Sequence, residues 1–443
     1  MQRQGSQVVF AYDFGKPEEK DNESVAMCGE GLVDKLPLAE AVLELSGRKT
    51  LWVFDTNEHA QVAQRLIDSG EAVIGTSALS AKMENDRLYA AKVAKAVGMD
   101  VPETKEFQGT GEAIKFLESR EGDAFVYKPN ESDASSTFVP QSLDDPAKSN
   151  KLLREYLASI EGEDDRGFIL QALIPGGVEV NFEVWARDGK PIAAFLDLES
   201  KRKLTGDLGT LIGCAGGYVA KIPIECKGIQ ETVAGYLGKE DFAHYTGSLD
   251  ANAIIKNEKV LFLENCFRFG YNAYPSIFYG LAKEPAENIL RSWVSGEGRI
   301  DDRFRTDFAG SLTLMTDNGK LGNPILIESS AYDKVCLYQV MAEGEKLMQV
   351  GSWPEIACVI DTGRTIDDAG KKCLSLAKAV SFPNKGHRTD LAGSTLPTLP
   401  ASRYRALVAG GYLRAPTKRA APRVAPYTMD DYELSDNIFF PNE

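Results

Sequence analysis

Apolar and polar positions alternate along this chain in short blocks, and each change of spacing marks an element. Residues 7–80 set apolar runs of strand length (Val8 to Tyr12, Leu51 to Phe54, Ala72 to Ile74) between segments of helical spacing (Leu38 to Leu45, Glu58 to Asp68). That alternation predicts a small α/β unit with parallel strands. A single amphipathic helix is expected from Leu79 to Gly98, stopped by Val101-Pro102. Residues 123–139 read as strand, loop, strand, and the run from Gly167 to Trp185 reads as two strands interrupted at Pro175-Gly176-Gly177. Glu199 to Val219, dense in glycine after the basic triplet Lys201-Arg202-Lys203, reads as a loop whose backbone can approach a ligand closely. Residues 306–391 return to an α/β pattern, with a helix capped by Thr365 and carrying Asp367 and Asp368 in its first turn.

The stretch with the most chemistry is Tyr245 to Ser276, read as a strand (Gly247 to Ile255), a turn at Lys256-Asn257-Glu258, a second strand (Val260 to Glu264) and a polar exit holding Arg268. Antiparallel neighbours lie about 5 Å apart, so this hairpin brings Asp250 within reach of Glu264. Two adjacent carboxylates repel unless a proton, a cation or an arginine joins them. An all-oxygen pair suits Mg²⁺, which takes one or two protein carboxylates together with phosphate oxygens. Arg268 is then placed to meet a phosphate or carboxylate oxygen. On these residues alone an ordinary surface hairpin with solvated acids remains an equal alternative. Lys128, at a strand end before Pro129, is placed to meet phosphate as a point charge.

Composition narrows the field. A chain of 443 residues exceeds one ordinary core and implies two to four domains. It has no apolar run of membrane-spanning length and no signal-peptide core at its start, so a cytoplasmic location is the default expectation. Seven cysteines without CxxC spacing and only three histidines argue against a zinc site or a disulfide framework. A net charge of −15 disfavours nucleic-acid binding by the body of the protein. No Gly-x-Gly-x-x-Gly follows the first strand, which removes support for a dinucleotide site.

The hairpin and its LEN…RFG exit resemble the metal-binding end of the ATP-grasp ligases, and within them glycinamide ribonucleotide synthetase, whose exit reads LEFN-x-RFGDPE. The resemblance extends from about Ala81 to Leu391. It implies an ATP-grasp fold of α/β and α+β domains: an N-terminal parallel α/β domain (1–80), an ATP-grasp domain (81–300) with a mobile lid at about 110–180, a small C-terminal α/β domain (301–395) and a tail (396–443). By the same resemblance Arg87 and Lys128 meet ATP phosphates, the backbone from Gln171 to Leu173 faces adenine, and Glu179 accepts from the ribose hydroxyls. Lys201, Arg202, Asp207, Gly209 and Gly213 fall on the family's HKR…GPNTGGMG acceptor segment. Mg²⁺ (or Mn²⁺) falls to Asp250, Glu264 and Asn265, with Arg268 and Lys128 assisting transfer.

The chain departs from that pattern in places. The phosphate loop Asn130 to Thr137 has no glycine, and the family's first-strand glycine turn is missing. Leu211-Ile212 and Cys214 replace an Asn-Thr pair and a glycine, and Tyr271-Asn272-Ala273 replaces Asp-Pro-Glu. Asn265 adjoins Glu264 where the family spaces the two by one residue, so either the strand bulges to bring Asn265 round or two carboxylates hold the metal with water.

The resemblance implies an ATP-dependent carboxylate–amine ligase working through an acyl phosphate. It would join an amino acid such as glycine to an amine acceptor that has changed, for instance a modified nucleotide or base. A true phosphoribosylamine–glycine ligase and a non-catalytic protein keeping the fold are the alternatives. Beyond Leu391 a basic block (Arg403 to Arg423) and an acidic end are expected to dock on the protein's own acidic surface or on a partner.

Overall fold

The computed structural model describes residues 7–12, 26–130, 137–140, 145–160, 167–317, 319–351, 353–393 and 396–409. Near the N-terminus, β1 (Val9–Tyr12) pairs in parallel with β2 (Asp34–Pro37), and β3 (Leu51–Val53) with β4 (Ala72–Ile74). Helices Leu38–Leu45 and Ala60–Asp68 lie where apolar spacing placed them, and Ala41, Trp52, Ala63, Leu66 and Val73 form a small separate core.

The single helix expected from Leu79 to Gly98 is two helices, Ala78–Asn85 and Arg87–Ala96. The break falls at Asp86, whose side chain leaves the helical path to accept from the Tyr89 N–H as an N-cap. The kink puts Arg87 in the first turn of the second helix and turns it inward, where it is buried.

Next comes a three-stranded antiparallel sheet in the order β5 (Thr104–Phe107), β7 (Phe168–Ala172), β6 (Phe125–Pro129), backed by helices Thr110–Glu118 and Pro146–Ser159. Its core of Phe107, Leu117, Phe125, Tyr127, Leu153, Phe168 and Leu170 is separate from the rest. Of the phosphate loop, residues 131–136 lie outside the described residues.

The body is one large sheet. Its path runs β12 (Lys259–Cys266), β11 (Gly247–Lys256), β8 (Val178–Arg187), β9 (Lys190–Leu204), β10 (Leu208–Ile222), β13 (Phe308–Thr316), β18 (Glu355–Gly363), β15 (Val335–Leu337), with Lys385–Gly386 added beside β13. The glycine-dense segment is therefore mostly strand, where a loop was expected. Its glycines are absorbed as two irregularities in the β9–β10 ladder, between Leu208 and Leu211 and between Leu211 and Gly216. Strands β13, β18 and β15 continue this sheet edge to edge, so the boundary expected near residue 300 divides neither the sheet nor the main core. A four-stranded sheet of β16 (Val340–Glu343), β17 (Lys346–Gln349), β14 (Pro324–Ile327) and the short Val380–Ser381 lies beside it.

Strand alternation explains what the large sheet does. On β8, β9 and β11 the residues Val180, Phe182, Val184, Leu196, Leu198, Leu249, Ala251 and Ala253 point to the main core. The opposite face is divided along its length. One end carries Trp185, Phe195 and Val219, with Trp185 stacked on Trp293 at 4.2 Å between ring centres. The other end carries Glu179, Asn181, Glu183, Asp197, Glu199, Lys201, Asp250 and Asn252. Among the described residues no helix is long and apolar enough to cross a membrane.

Candidate active site

The polar end of the large sheet faces the three-stranded sheet, and charged side chains from both meet there. Lys201 on β9 donates to Glu179 Oε1 on β8 at 3.0 Å and to Asn252 Oδ1 on β11 at 3.2 Å, with Glu199 Oε2 at 3.9 Å. Arg87 Nη2 lies 3.5 Å from Glu264 Oε2 on β12, and its Nη1 donates to the Pro129 carbonyl at the end of β6. Arg87 thus ties the large sheet to the smaller one. The side chains of Glu264, Lys201 and Glu179 are 30%, 34% and 40% exposed, which makes them the wall of an open cleft.

Ionisation follows from that crowding. Lys201 foremost, and then Arg403 and Lys128, hold the Glu179 carboxyl at about 2 against the effect of burial. Burial pushes Glu264 up, but Lys128, Arg87 and Lys201 outweigh it and bring it to about 2. Burial likewise lowers Lys128, with Glu264 and Glu179 opposing. Five predicted residues, Arg87, Lys128, Glu179, Lys201 and Glu264, therefore belong to one electrostatic group.

Asp250 opens a second group next to the first. In the β11–β12 ladder it faces Cys266, while Glu264 faces Asn252, so the two carboxylates share a face but sit diagonally, on the order of 7 Å apart. The ladder slips by one residue after Asn252. That bulge does not bring Asn265 round: it pairs with Ala251 on the core-facing side, and its amide lies beside the Tyr236 hydroxyl. Around Asp250 are buried Glu183, Asp197 and Glu199. Burial first, and then Glu183 and Glu199, raise the Asp250 carboxyl well above the ordinary range. Burial, and then Glu199 and Asp250, do the same to Asp197. Asp250 Oδ1 and Asp197 Oδ2 are buried with no hydrogen-bond partner among the described residues.

The segment Phe267–Asn272 laces these acids to the rest. Gly270 N–H donates to Glu183 Oε2 at 3.1 Å, and a Cβ on Gly270 would lie 3.3 Å from that oxygen and 3.5 Å from Asp250 Oδ2. Asn272 donates to Asp197 Oδ1 and accepts from Ser311. Arg268 is oriented by Glu84, from the helix Ala78–Asn85, through Nε at 3.0 Å, and Glu84 also accepts the Phe267 N–H at 2.7 Å. Tyr271 is 57% exposed, with Arg268 over its ring at 4.7 Å and Gly213 against its edge.

Other expected residues are held by hydrogen bonds of their own. Gln171 sits in the central strand of the small sheet and donates to the Thr104 hydroxyl, and the Leu173 N–H is taken by the Ala124 carbonyl. Arg202, Asp207 and Gly209 form the tip of the β9–β10 hairpin. There Arg202 donates to the Gly209 carbonyl, and Arg388 donates to Asp207, to the Arg202 carbonyl and to both oxygens of Asp390.

Glu84, Glu183, Asp197, Glu199, Asn252, Asn272 and Arg388 were not anticipated. A readable signal for several of them is the period-2 run of polar residues (Glu179, Asn181, Glu183; Asp197, Glu199, Lys201) between residues apolar enough for a core. Polar side chains repeating on one face of otherwise buried strands mark a site on that face.

No family model matches the chain, and no curated protein does. Solved structures do. The chain is similar to phosphoribosylamine–glycine ligase from Thermotoga maritima, with a TM-score of 0.64 and 17% identity, over 88% of this chain and 94% of that one. It is similar to L-amino acid ligase from Bacillus licheniformis, with a TM-score of 0.53 and 13% identity, over 87% and 94%. It is also similar to the biotin carboxylase domain of the 2-oxoglutarate carboxylase of Hydrogenobacter thermophilus, solved in complex with MgADP and bicarbonate, with a TM-score of 0.55 and 13% identity, over 87% of each chain. A small sheet facing the polar end of a large one, as seen in this chain over most of its length, is the fold of the ATP-grasp ligases.

Proposed function

We propose that the protein is an ATP-dependent carboxylate–amine ligase that makes an amide through an acyl phosphate. The observation that carries this reading is the convergence of Arg87, Lys128 and Lys201 on Glu179 and Glu264 between the two sheets. In this arrangement those cations neutralise carboxylates. With a nucleotide present they are placed to turn to its phosphates, and Glu179 is placed to accept from a ribose diol.

The donor set also fits a hard divalent cation. Glu264 is ionised, Asp250 carries a buried oxygen without a hydrogen-bond partner among the described residues, and the crowded acids around Asp250, raised by burial and by one another, would release protons to a bound cation. Among the described residues no three His, Cys, Asp or Glu side chains surround one point, so Mg²⁺ (or Mn²⁺) would take Asp250 and Glu264 with water and phosphate oxygens. When bound, the ion would screen the charge of the phosphates. Asn265 is not proposed as a ligand.

The substrate carboxylate attacks the γ-phosphorus, ADP leaves, and an acyl phosphate forms. An amine then attacks the acyl carbon, phosphate is expelled, and an amide remains. Lys128, Arg87 and Arg268 hold the phosphates in line and offset their charge, and Glu84 keeps Arg268 aimed. No nucleophilic side chain is required. An amino acid such as glycine is the proposed carboxylate. Exposed Tyr271, against Gly213 at the end of the Leu211-Ile212-Gly213 run, supports an acceptor other than phosphoribosylamine.

Mg-ATP at about 100 times its Kd should stabilise the protein by about 2.7 kcal/mol. Replacing Lys128 or Glu264 should remove most of that shift, and ADP release should appear only with a matching amino acid and amine. Absence of any Mg-ATP shift refutes the ligase reading. Efficient turnover of phosphoribosylamine with glycine refutes the changed acceptor alone.

A further inference from the structure

The motifs that resemble the ligases end at Leu391, yet the chain beyond them reaches the strand that carries Glu179 and its neighbour. Residues Pro400–Ala409 form a helix whose Ala401, Tyr404 and Leu407 join the main core, with the Tyr404 ring edge-on to Phe308 at 5.3 Å. Arg403, on the same helix, is 8% exposed and turns toward the sheet. It arrives where β8 and β9 separate. Their ladder ends at Asn181–Asp197, so Glu179 and Glu199, the pair that would form the next rung on the same face, are not paired with each other. Arg403 Nη1 donates to the Glu179 carbonyl at 2.8 Å, and its Nη2 donates to the Glu199 carbonyl. The guanidinium therefore stands in for the missing rung, with one nitrogen to each strand.

We propose that the helix Pro400–Ala409 is part of the nucleotide site, and that Arg403 is a positioning residue that fixes the separation of β8 and β9 and so aims Glu179 at the ribose. This rests on the reading that Glu179 accepts from the ribose hydroxyls. A planar fork suits two carbonyls on separate strands, which a single ammonium cannot serve at once with the same geometry. Without the fork, two carbonyls at a buried gap lose their donors. The strands then drift, and the carboxylate drifts with Glu179, though Arg403 itself never touches nucleotide.

The test uses the full chain and compares its affinity for Mg-ATP and Mg-2′,3′-dideoxy-ATP by calorimetry. Wild type should prefer ATP, and Glu179→Gln should remove the preference. Arg403→Met, which keeps the apolar stem, should lower the preference roughly tenfold, the worth of a hydrogen bond to a charged group, with dideoxy-ATP affinity unchanged. The double variant should lose no more than Glu179→Gln alone, and Arg403→Lys should recover part of the loss.

A wild type that binds ATP without ribose preference overturns the Glu179 reading itself. A preference kept in Arg403→Met, or losses that add in the double variant, overturns the role of Arg403 alone. A second measurement needs no variant: Mg-ATP should slow hydrogen exchange in residues 400–409 of wild type more than the dideoxy form does. Equal exchange with the two nucleotides overturns the proposal even if Arg403→Met fails to fold.

Discussion

Replacing Glu84 should separate the stability of the cleft from its grip on a triphosphate. This carboxylate is 6% exposed and serves two donors, Phe267 N–H at 2.7 Å and Arg268 Nε at 3.0 Å. Glu84→Ala strands both. An unpaired buried N–H costs about 1–3 kcal/mol, and Arg268, itself 21% exposed at the side chain, loses a partner that water only partly replaces. A loss of about 3 kcal/mol is expected. Glu84→Gln keeps an acceptor of the same shape for one donor. Burial raises the Glu84 carboxyl, with Arg268 and the Phe267 N–H opposing, so removing the charge also removes a desolvation cost. Its stability should fall by only about 1 kcal/mol. The hold on Arg268 changes more, because an ion pair becomes a bond to a neutral acceptor, and about 1.4 kcal/mol of orientation is roughly tenfold in affinity. Calorimetry with Mg-ADP and a non-hydrolysable Mg-ATP analogue should therefore show Glu84→Gln losing about tenfold in its preference for the triphosphate. Denaturant melts should rank wild type above Glu84→Gln above Glu84→Ala. A Glu84→Ala protein that melts with wild type, or a Glu84→Gln protein with undiminished triphosphate preference, refutes the assigned role of Arg268.

Three further outcomes are expected. Glu179 and Glu264, both lowered to about 2 from a reference of 4.5, contribute stability that is fully present above pH 4.5 and lost as pH falls through 2; melting of Glu179→Gln should therefore depend less steeply on pH below 4.5 than wild type. Asp250 has the opposite sign: its carboxyl is raised, so its contribution is present below 3.8 and lost as pH rises through the folded value. Asp250→Asn should thus raise Tm at neutral pH by roughly 2 °C or more while reducing stabilisation by Mg-ATP, and a lower Tm would contradict this. Arg388→Met leaves Asp207 and Asp390 without their shared buried partner and should cost about 3 kcal/mol in melts, with cleavage by protease appearing at the β9–β10 tip and Mg-ATP affinity unchanged.

The elements with clean periodicity were legible. Helix Leu38–Leu45 and the hairpin of β11 and β12 fall where spacing put them, and the turn at Asn257 and Glu258 takes positive φ at both residues, as a two-residue hairpin requires. The break at Asp86 was missed because an N-capping aspartate inside an apolar helical repeat looks like one polar surface position. The glycine-dense segment was misread because glycine density signals backbone freedom without saying whether the neighbouring strands will absorb it as bulges. In the cleft, motif likeness picked out Lys128 and Arg87, the cations proposed to meet phosphate, which the structure gathers about Glu264. It could not find Glu84, which acts through Arg268 from a position 184 residues earlier, since no local spacing records that contact. Asn265 lies on the far face because the one-residue slip falls before Glu264 and leaves normal alternation after it. Of the tail, the helix Pro400–Ala409 docks on the protein's own sheet, through apolar side chains and one arginine more than through its charge pattern; the acidic end lies outside the described residues.

The edge-to-edge run of β10, β13 and β18 has a bearing on how this chain can be cut or recombined. Severing it near residue 300 would bare the hydrogen-bonding rim of β10 on one fragment and that of β13 on the other, each a template for wrong partners. Halves swapped with a relative at that point would have to match strand register across Gly216–Leu312 to Val219–Ala309, as well as a linker. A safer joint is the connection after β4, since the small core below it is separate from the main one and only Ile74 and Leu51 reach across, into the Trp185 core.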